Sequence, residues 1–251
     1  MIPRTAISIL QQQVVQRLRG LSDQQIMSVG SSFASLQSLS DTTFRALRNE
    51  VCSRGRTLDG RCARQEFSFG NAIPHFETVY EDSDIVVINK PPGIVVSLNE
   101  DLNNTQKKRW NKPAGNSEEL QELIESASPL PISQDARFAY GILHRLDRDT
   151  SGALVIAKNF ESFYDMRLQF ACGFVVKEYT ALVNGWLEPL GKTIDVDSRI
   201  TTVKEFTKNN HLNVKSKISS DGEGKHALTQ VTPVAHYLSP GNGGKVSFVK
   251  A

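Results

Sequence analysis

The stretch that decides the fold of this chain reads HRLDRDTSG at residues 144–152 and runs directly into the apolar segment ALVIA at residues 153–157. Glycine, serine, threonine and aspartate mark turns, whereas a short apolar run bounded by such residues is typical of a buried strand. The stretch therefore predicts a polar turn that leads into a buried strand. The carboxylate of Asp147 lies at the lip of that strand, with Arg145 and Arg148 beside it in the sequence.

A second turn precedes this stretch. The apolar run IVVI at residues 85–88 is bounded by polar residues, which predicts a short strand. The sequence PPG at residues 91–93 ends that strand, and IVV at residues 94–96 starts another one. Lys90 lies between strand and turn, where it either meets a phosphate or has a structural role.

A helix is predicted after the central strand. Asn159 is a good N-cap, Gly173 can end the helix, and apolar residues recur between them at helical spacing. Cys172 lies in this pattern and is interpreted as a small buried group. Residues 175–185 alternate as a strand does, with Tyr179 on the same face as its apolar neighbours Ala181 and Val183.

The remaining C-terminal sequence alternates between polar and strand-like segments. Residues 191–224 are polar and rich in lysine, which predicts a long loop. Residues 225–234 and 246–250 are predicted strands, joined through a glycine-rich turn.

The composition is that of an ordinary globular protein. The 251 residues are 39% hydrophobic and 22% charged, and the net charge is only +2, so a nucleic-acid partner needs a local basic patch. No apolar run reaches the roughly 20 residues that span a bilayer. The cysteines are Cys52, Cys62 and Cys172, an odd number with no CxxC pair, which indicates neither a disulfide framework nor a zinc site.

Residues 1–72 are predicted to be an N-terminal extension, followed by the main domain over residues 73–251. The first 22 residues contain arginine but no acidic residue, a composition that favours a targeting segment for a mitochondrion or plastid. An ordinary amphipathic helix is the alternative, and cytoplasm or nucleus is then the location. A linker or an RNA-contacting arm are further interpretations of this region.

Residues 98–137 have the irregular pattern of an insertion. The segment KKRWNK at residues 107–112 combines positive charge with an indole, the composition of a nucleic-acid contact, although such runs are also common in solvated loops. A short helix is expected after it, capped by Asn116, with its apolar face formed by Leu120, Leu123 and Ile124.

Three ordered motifs resemble those of the RluA-type pseudouridine synthases. They are the NKPPG turn at residues 89–93, the HRLDRDTSG signature, and the KEYTALV strand at residues 177–183. The resemblance implies an α+β fold, with a mixed, mostly antiparallel sheet, flanking helices and a central RNA-binding cleft. It implies an isomerase that converts uridine to pseudouridine in structured RNA, ribosomal or transfer RNA, as a monomer without cofactor, metal or membrane.

The same resemblance assigns the site. Asp147 is the catalytic carboxylate, and Tyr179 stacks on the uracil and takes part in proton transfer. Arg145 helps displace the target base from its stack, a step that costs a few kcal/mol. Lys90 is assigned to substrate binding, beside its structural alternative. Which covalent step Asp147 performs stays open.

Other candidates carry less chemistry. Asp149 shares the face of Asp147 in an extended segment and could form an acid/base pair, but an acid before Thr-Ser-Gly more often belongs to a turn. His144 is interpreted as a structural residue. The rival function is an RNA-binding or RNA-folding protein that keeps the fold without catalysis, and a glycoside hydrolase is a distant third.

One departure from the family pattern concerns the end of the chain. Family members follow the last predicted strand with a Thr-Gly-Arg segment and a His-Gln-Ile-Arg run, and this sequence contains no Thr-Gly-Arg. The chain is therefore expected to be an incomplete member at its C-terminus, with weak or absent activity in these 251 residues alone.

Overall fold

A computed structural model describes residues 4–60, 67–69, 76–96, 119–206, 212–220, 222–239 and 243–251. The chain divides into two compact units, Met1–Val175 and Val176–Ala251. The first contains five α-helices and a three-stranded sheet, and the second contains a five-stranded sheet. The predicted α+β class is confirmed.

The sheet of the first unit lies in the order β1-β2-β3 and is antiparallel throughout. Its strands are β1 (Glu77–Glu81), β2 (Ile85–Lys90) and β3 (Gly152–Ala157). Alternate residues of β2 and β3 point into the core, where Val86 pairs with Ile156 and Ile88 with Leu154. The strands predicted before the PPG turn and after the Asp147 turn are therefore confirmed.

The helices of the first unit are α1 (Arg4–Arg17), α2 (Asp23–Ser35), α3 (Asp41–Asp59), α4 (Leu120–Ala127) and α5 (Phe160–Ala171). Helix α5 has the predicted ends. The Asn159 side chain accepts a hydrogen bond from the Ser162 amide, and Gly173 follows the last turn at φ 72°. Cys172 is buried as predicted, and burial raises the pKa of its thiol to about 11.

Helices α3 and α5 are joined at close range. The Asp59 carboxylate accepts hydrogen bonds from the Phe160 and Glu161 amides at 2.9 Å each, so it caps the free N–H groups of α5. A Cβ on Gly55 would lie 2.4 Å from the Cα of Glu161. The N-terminal helices thus pack in the same unit as α5, while a boundary at residue 72 and a targeting role stay predictions.

Replacing Gly55 with Ala is expected to lower the free energy of unfolding by about 1–3 kcal/mol, because the new methyl group meets backbone atoms of α5. The sign is informative, since alanine normally stabilises a helix by about 1 kcal/mol over glycine. Gly20→Ala is the matched control, because nothing lies within 4 Å of its Cβ position. Urea unfolding of both variants measures the difference, and equal stability of the two would contradict this packing.

Two predictions about the middle of the chain need correction. Helix α4 begins at Leu120 and has Glu119 as its N-cap, without a side-chain hydrogen bond, so the capping assigned to Asn116 is wrong. The apolar face of α4 is as predicted. Residues 94–96 do not form the predicted strand. Val95 instead forms an isolated parallel bridge with Glu119. The basic segment 107–112 lies outside the described residues.

The second unit is an antiparallel sheet in the order β4-β8-β7-β5-β6. Its strands are β4 (Thr180–Asn184), β5 (Ile194–Phe206), β6 (Leu212–Ile218), β7 (Lys225–Leu238) and β8 (Lys245–Lys250). The two strands predicted near the C-terminus correspond to β7 and β8. The strand predicted from residue 175 begins only at Thr180.

The long loop predicted for residues 191–224 is wrong, because this segment contains β5 and β6. Both strands are polar, and their apolar residues Val196, Ile200 and Ile218 are 43%, 41% and 71% exposed. The period-two alternation typical of a strand is present at Ile194, Val196 and Ile200, but the polar, lysine-rich composition of the segment outweighed it in the prediction. Main-chain pairing to neighbouring strands, with Ile200 opposite Ile218, forms the hairpin instead.

The mostly antiparallel sheet structure implied by the family resemblance agrees with the described strands. The described strands fall into two sheets, one in each unit, and every strand pair is antiparallel. The central cleft stays a prediction. Within the described part of the chain, no helix has the length and apolar character needed to cross a membrane.

An ion pair fastens the end of β1 to the residue after β3. The Lys158 Nζ lies 2.8 Å from Glu81 Oε1, with the two side chains only 11% and 15% exposed. Burial alone would raise the pKa of Glu81, but hydrogen bonds from Lys158, the Phe69 amide and Ser68 outweigh it and hold this pKa below its ordinary value.

Glu81→Gln is expected to lower the free energy of unfolding by about 1–2 kcal/mol at neutral pH. Since the folded-state pKa is depressed, this stabilisation is present above the unfolded value of 4.5 and is lost as the pH falls through the folded-state pKa. Urea unfolding between pH 3 and pH 7 should show the two curves converging in acid. Glu77→Gln, at an exposed position on the same strand, is the control, and a pH-independent difference would contradict the ion pair.

Candidate active site

The segment that carries Asp147 runs beside β3. Ile142 forms an antiparallel bridge to Ile156, and the Leu143 amide donates to the Val155 carbonyl at 3.2 Å. The Val155 amide in turn donates to His144 Nε2 at 3.1 Å. This hydrogen bond confirms the structural interpretation of His144, whose ring also lies against Phe170.

Beyond His144 the side chains alternate between the core and solvent. Leu146 is 6% exposed and anchors the segment. The side chains of Arg145 and Asp147 are 62% and 86% exposed, and their nearest charged atoms lie 3.9 Å apart. Residues two apart in an extended segment share a face, and Arg145 and Asp147 do so here. The Thr150 amide closes the turn by donating to the Asp147 carbonyl at 3.0 Å.

The Asp147 carboxylate is accessible and has a cation next to it. At 3.9 Å the Arg145 guanidinium exerts an electrostatic influence but is too far away to hydrogen-bond the carboxylate. The carboxylate oxygens thus keep lone pairs that can attack a carbon or face a developing positive charge. This is the arrangement that a carboxylate nucleophile requires.

Asp149 is engaged in a different pair. Arg148 donates to both of its carboxylate oxygens, at 3.0 and 3.2 Å. The Arg148 hydrogen bond and charge, together with the more distant Lys90 ammonium, hold the pKa of Asp149 below its ordinary value. A carboxyl group with a depressed pKa is a poor proton donor at neutral pH, so the geometry does not favour Asp149 as a general acid.

Lys90 is buried beneath the Asp147 turn and is not on its exposed surface. Its side chain is fully buried, and Nζ donates to the carbonyls of Pro91 at 2.9 Å, Ile94 at 3.0 Å and Arg148 at 3.1 Å. Desolvation lowers the pKa of Lys90, opposed by the charges of Asp149 and Asp147. Since an ammonium has three protons, none is left for a phosphate. These contacts favour the structural alternative for Lys90, and its assignment to substrate binding stays a prediction.

The NKPPG turn is tied to the Asp147 turn at one atom. The Arg148 carbonyl accepts from Lys90 Nζ and also from the Gly93 amide, the latter at 2.7 Å. Gly93 has φ 94°, a conformation that favours glycine. The sequence motifs did not indicate this link, because it is formed by a main-chain oxygen distant in sequence.

Tyr179 belongs to the second unit, whereas Asp147, Arg145 and Lys90 belong to the first. It directly precedes β4 and is 42% exposed. Its amide donates to the Ala251 carbonyl at 2.7 Å, and the Ala251 amide donates back at 2.9 Å, which extends the β4–β8 ladder by one pair. The aromatic ring is accessible, as stacking on a base requires.

The described residues contain no group of three or more His, Cys, Asp or Glu side chains arranged to hold a metal ion.

The profile of the RNA pseudouridylate synthase family matches residues 84–251, which include all four assigned site residues. The chain belongs to this family. The match extends over both the HRLDRDTSG turn and the strand after Tyr179.

Curated relatives support the family assignment. The ribosomal large subunit pseudouridine synthase D of Nitrosomonas europaea is 31% identical over 70% of this chain and 43% of the relative. The protein of the same name from Borreliella burgdorferi is 31% identical over 61% and 40%. The one from Buchnera aphidicola subsp. Acyrthosiphon pisum is 37% identical over 43% and 30%. This family member thus spans less than half the length of these three relatives.

Two solved human structures also match this chain. Human RNA pseudouridylate synthase domain containing 1 matches with a TM-score of 0.46 and 22% identity, over 74% of this chain and 61% of that one. Human RNA pseudouridylate synthase domain containing 4 matches with a TM-score of 0.39 and 19% identity, over 79% and 62%.

Proposed function

We propose that this protein converts uridine to pseudouridine in structured RNA, with Asp147 as the catalytic carboxylate. The observation that carries the proposal is the Asp147 turn. The turn lies within the segment that matches the family. Its exposed Asp147 carboxylate is next to the Arg145 guanidinium, and the buried Lys90 side chain donates a hydrogen bond to the Arg148 carbonyl of the same turn. An exposed reactive group on a rigid base is what positioned nucleophilic catalysis needs.

The reaction breaks the bond between N1 of uracil and C1′ of the ribose, rotates the base, and joins C1′ to C5. The hydrogen on C5 is released as a proton and N1, freed from C1′, gains one, so atoms and electrons balance without an oxidant or reductant. Asp147 attacks the sugar or the base, or faces the positive charge that develops at C1′. Arg145 shares its face and is suited to hold the position that a flipped base vacates. Tyr179 provides a surface for the uracil.

Ribosomal RNA is the proposed substrate, because the curated relatives are named as ribosomal large subunit synthases. Transfer RNA is the second candidate, and a monomeric state is part of the proposal. The net charge of +2 is small, so RNA binding must depend on local groups rather than on the overall field.

The release of C5 hydrogen tests the proposal directly. Ribosomal and transfer RNA transcripts labelled with tritium at C5 of uridine are incubated with the 251-residue chain and with the longest open reading frame that contains it. Tritium in the water and pseudouridine in the digested RNA are the expected result, with more from ribosomal RNA. Absence of both from the longer protein would leave RNA binding without catalysis as the better account.

A further inference from the structure

An exposed tryptophan follows β4 in the second unit. Trp186 has 45% of its surface accessible, although indole is among the most apolar side chains. The family motifs do not include it, and the proposed chemistry does not use it. A large exposed aromatic side chain indicates a binding site when the backbone around it is held in place.

The backbone on both sides of Trp186 is held by one buried hydroxyl. Ser247 of β8 is fully buried, and its Oγ donates to the Gly185 carbonyl at 2.8 Å. The same Oγ accepts from the Leu187 amide at 2.9 Å. The residues before and after the tryptophan are therefore fixed to the sheet, which reduces the mobility of its Cα.

The indole ring is fixed as well. It stacks on the His236 ring at an interplanar angle of 8° and a centroid distance of 5.5 Å. His236 Nε2 donates to the Leu187 carbonyl at 3.0 Å, and Glu188 approaches its Nδ1 at 3.7 Å. The imidazole is thus anchored to the same loop and supports the indole from one side.

A lysine completes the group. The Lys245 Nζ lies over the Trp186 ring, 4.3 Å from its centroid, while the residue is exposed to solvent. A cation–π contact at an exposed site is worth about 0.5–1 kcal/mol. The Lys245 ammonium can therefore leave the indole ring and bind a phosphate at little cost. The long side chain can then move off the ring and expose the indole surface that it covered.

We propose that Trp186 and Lys245 form an RNA-binding platform, in which a single-stranded base stacks on the indole and the adjacent phosphate binds the ammonium. Stacking on an aromatic ring with a neighbouring cation is the common mode of sequence-tolerant single-strand binding. A tryptophan held by Ser247 and His236 needs little further ordering when RNA binds. The platform rests on the proposed function only in that both require RNA as the partner.

Intrinsic fluorescence tests the platform, because the chain has two tryptophans. In a Trp110→Phe variant, Trp186 is the remaining reporter, and a single-stranded oligouridylate is the probe. Quenching of its emission is expected on titration. Lys245→Ala should weaken binding by about threefold to tenfold and reduce the slope of log affinity against log salt by about 0.7, the value for one lost phosphate contact.

Three further variants keep the test specific. Lys225→Ala is the matched control, since this exposed lysine begins β7, whereas Lys245 pairs with Leu238 at the other end of that strand. Trp186→Ala should weaken binding by at least about fivefold, and Trp186→Phe should retain most of the affinity, because a phenyl ring also stacks. Unchanged emission, or equal effects at Lys225 and Lys245, would overturn the platform.

Pseudouridine formation separates this inference from the proposed function. If the longer protein isomerises uridine while Lys245→Ala binds RNA as tightly as wild type does, the platform is wrong and the function stands. If Trp186 is quenched and Lys245→Ala weakens binding while no pseudouridine forms, the platform stands and the function fails.

Discussion

Asp147→Asn is expected to reduce pseudouridine formation by at least about 1,000-fold, the scale on which removing an essential nucleophile acts. The amide has nearly the same shape as the carboxylate but lacks the negative charge that attacks or stabilises the reacting carbon. RNA affinity should stay within about threefold, because the exposed side chain does not support the fold and the flanking arginines remain. Tritium release and filter binding on the same protein preparations measure both quantities.

Asp149→Asn is the matched control for this result. The same chemical change is made two residues away, at a side chain that is 76% exposed and paired with Arg148. Its activity should stay within about threefold of wild type. Comparable losses at both positions would indicate an acid/base pair, and an active Asp147→Asn protein would end the assignment of Asp147.

The second large effect is expected at Lys90. Lys90→Met keeps much of the side-chain volume but removes three donors, leaving the carbonyls of Pro91, Ile94 and Arg148 without them. The Arg148 carbonyl keeps its bond from the Gly93 amide, so two acceptors lose their donor at about 1–3 kcal/mol each, and a total loss of about 2–4 kcal/mol in unfolding free energy is expected. Urea unfolding followed by circular dichroism measures it.

The exposed Lys177 provides the control, since Lys177→Met removes an ammonium from the surface. It should change the unfolding free energy by less than about 0.5 kcal/mol. Lys90→Met protein that remains folded should also be less active, because the Arg148 carbonyl loses one of its two donors. A stable and fully active Lys90→Met variant would show that the Gly93 amide alone positions the turn.

The sequence predicted those parts of the fold that depend on neighbours along the chain. The ends of α5 follow from Asn159 and Gly173, and β2 and β3 follow from their apolar runs. The shared face of Arg145 and Asp147 follows from the two-residue period of extended backbone, confirmed by their 3.9 Å separation. For the candidate site, the catalytic turn was predicted from the motif, while its catalytic role stays a prediction.

The remaining features depend on partners distant in sequence or lie in segments whose polar composition outweighs their hydrophobic pattern. Lys90 is in a recognisable motif, but its three acceptors include the Arg148 carbonyl, 58 residues away. The hairpin of β5 and β6 does alternate, for example at Val196, Ile200 and Ile218, but its polar, lysine-rich composition outweighed that signal in the loop prediction. Ser22 and Ser40 are the N-caps of α2 and α3, and the targeting role of the N-terminal residues stays a prediction.

The double acceptor role of the Arg148 carbonyl gives the turn a spectroscopic marker. Gly93 is exposed, so its amide hydrogen is protected from exchange with water chiefly by the hydrogen bond to that carbonyl. Its exchange rate, read at one glycine in a nuclear magnetic resonance spectrum, reports how often the Asp147 turn opens. An RNA that tightens the turn on binding would slow this single rate, and a ligand bound elsewhere would not.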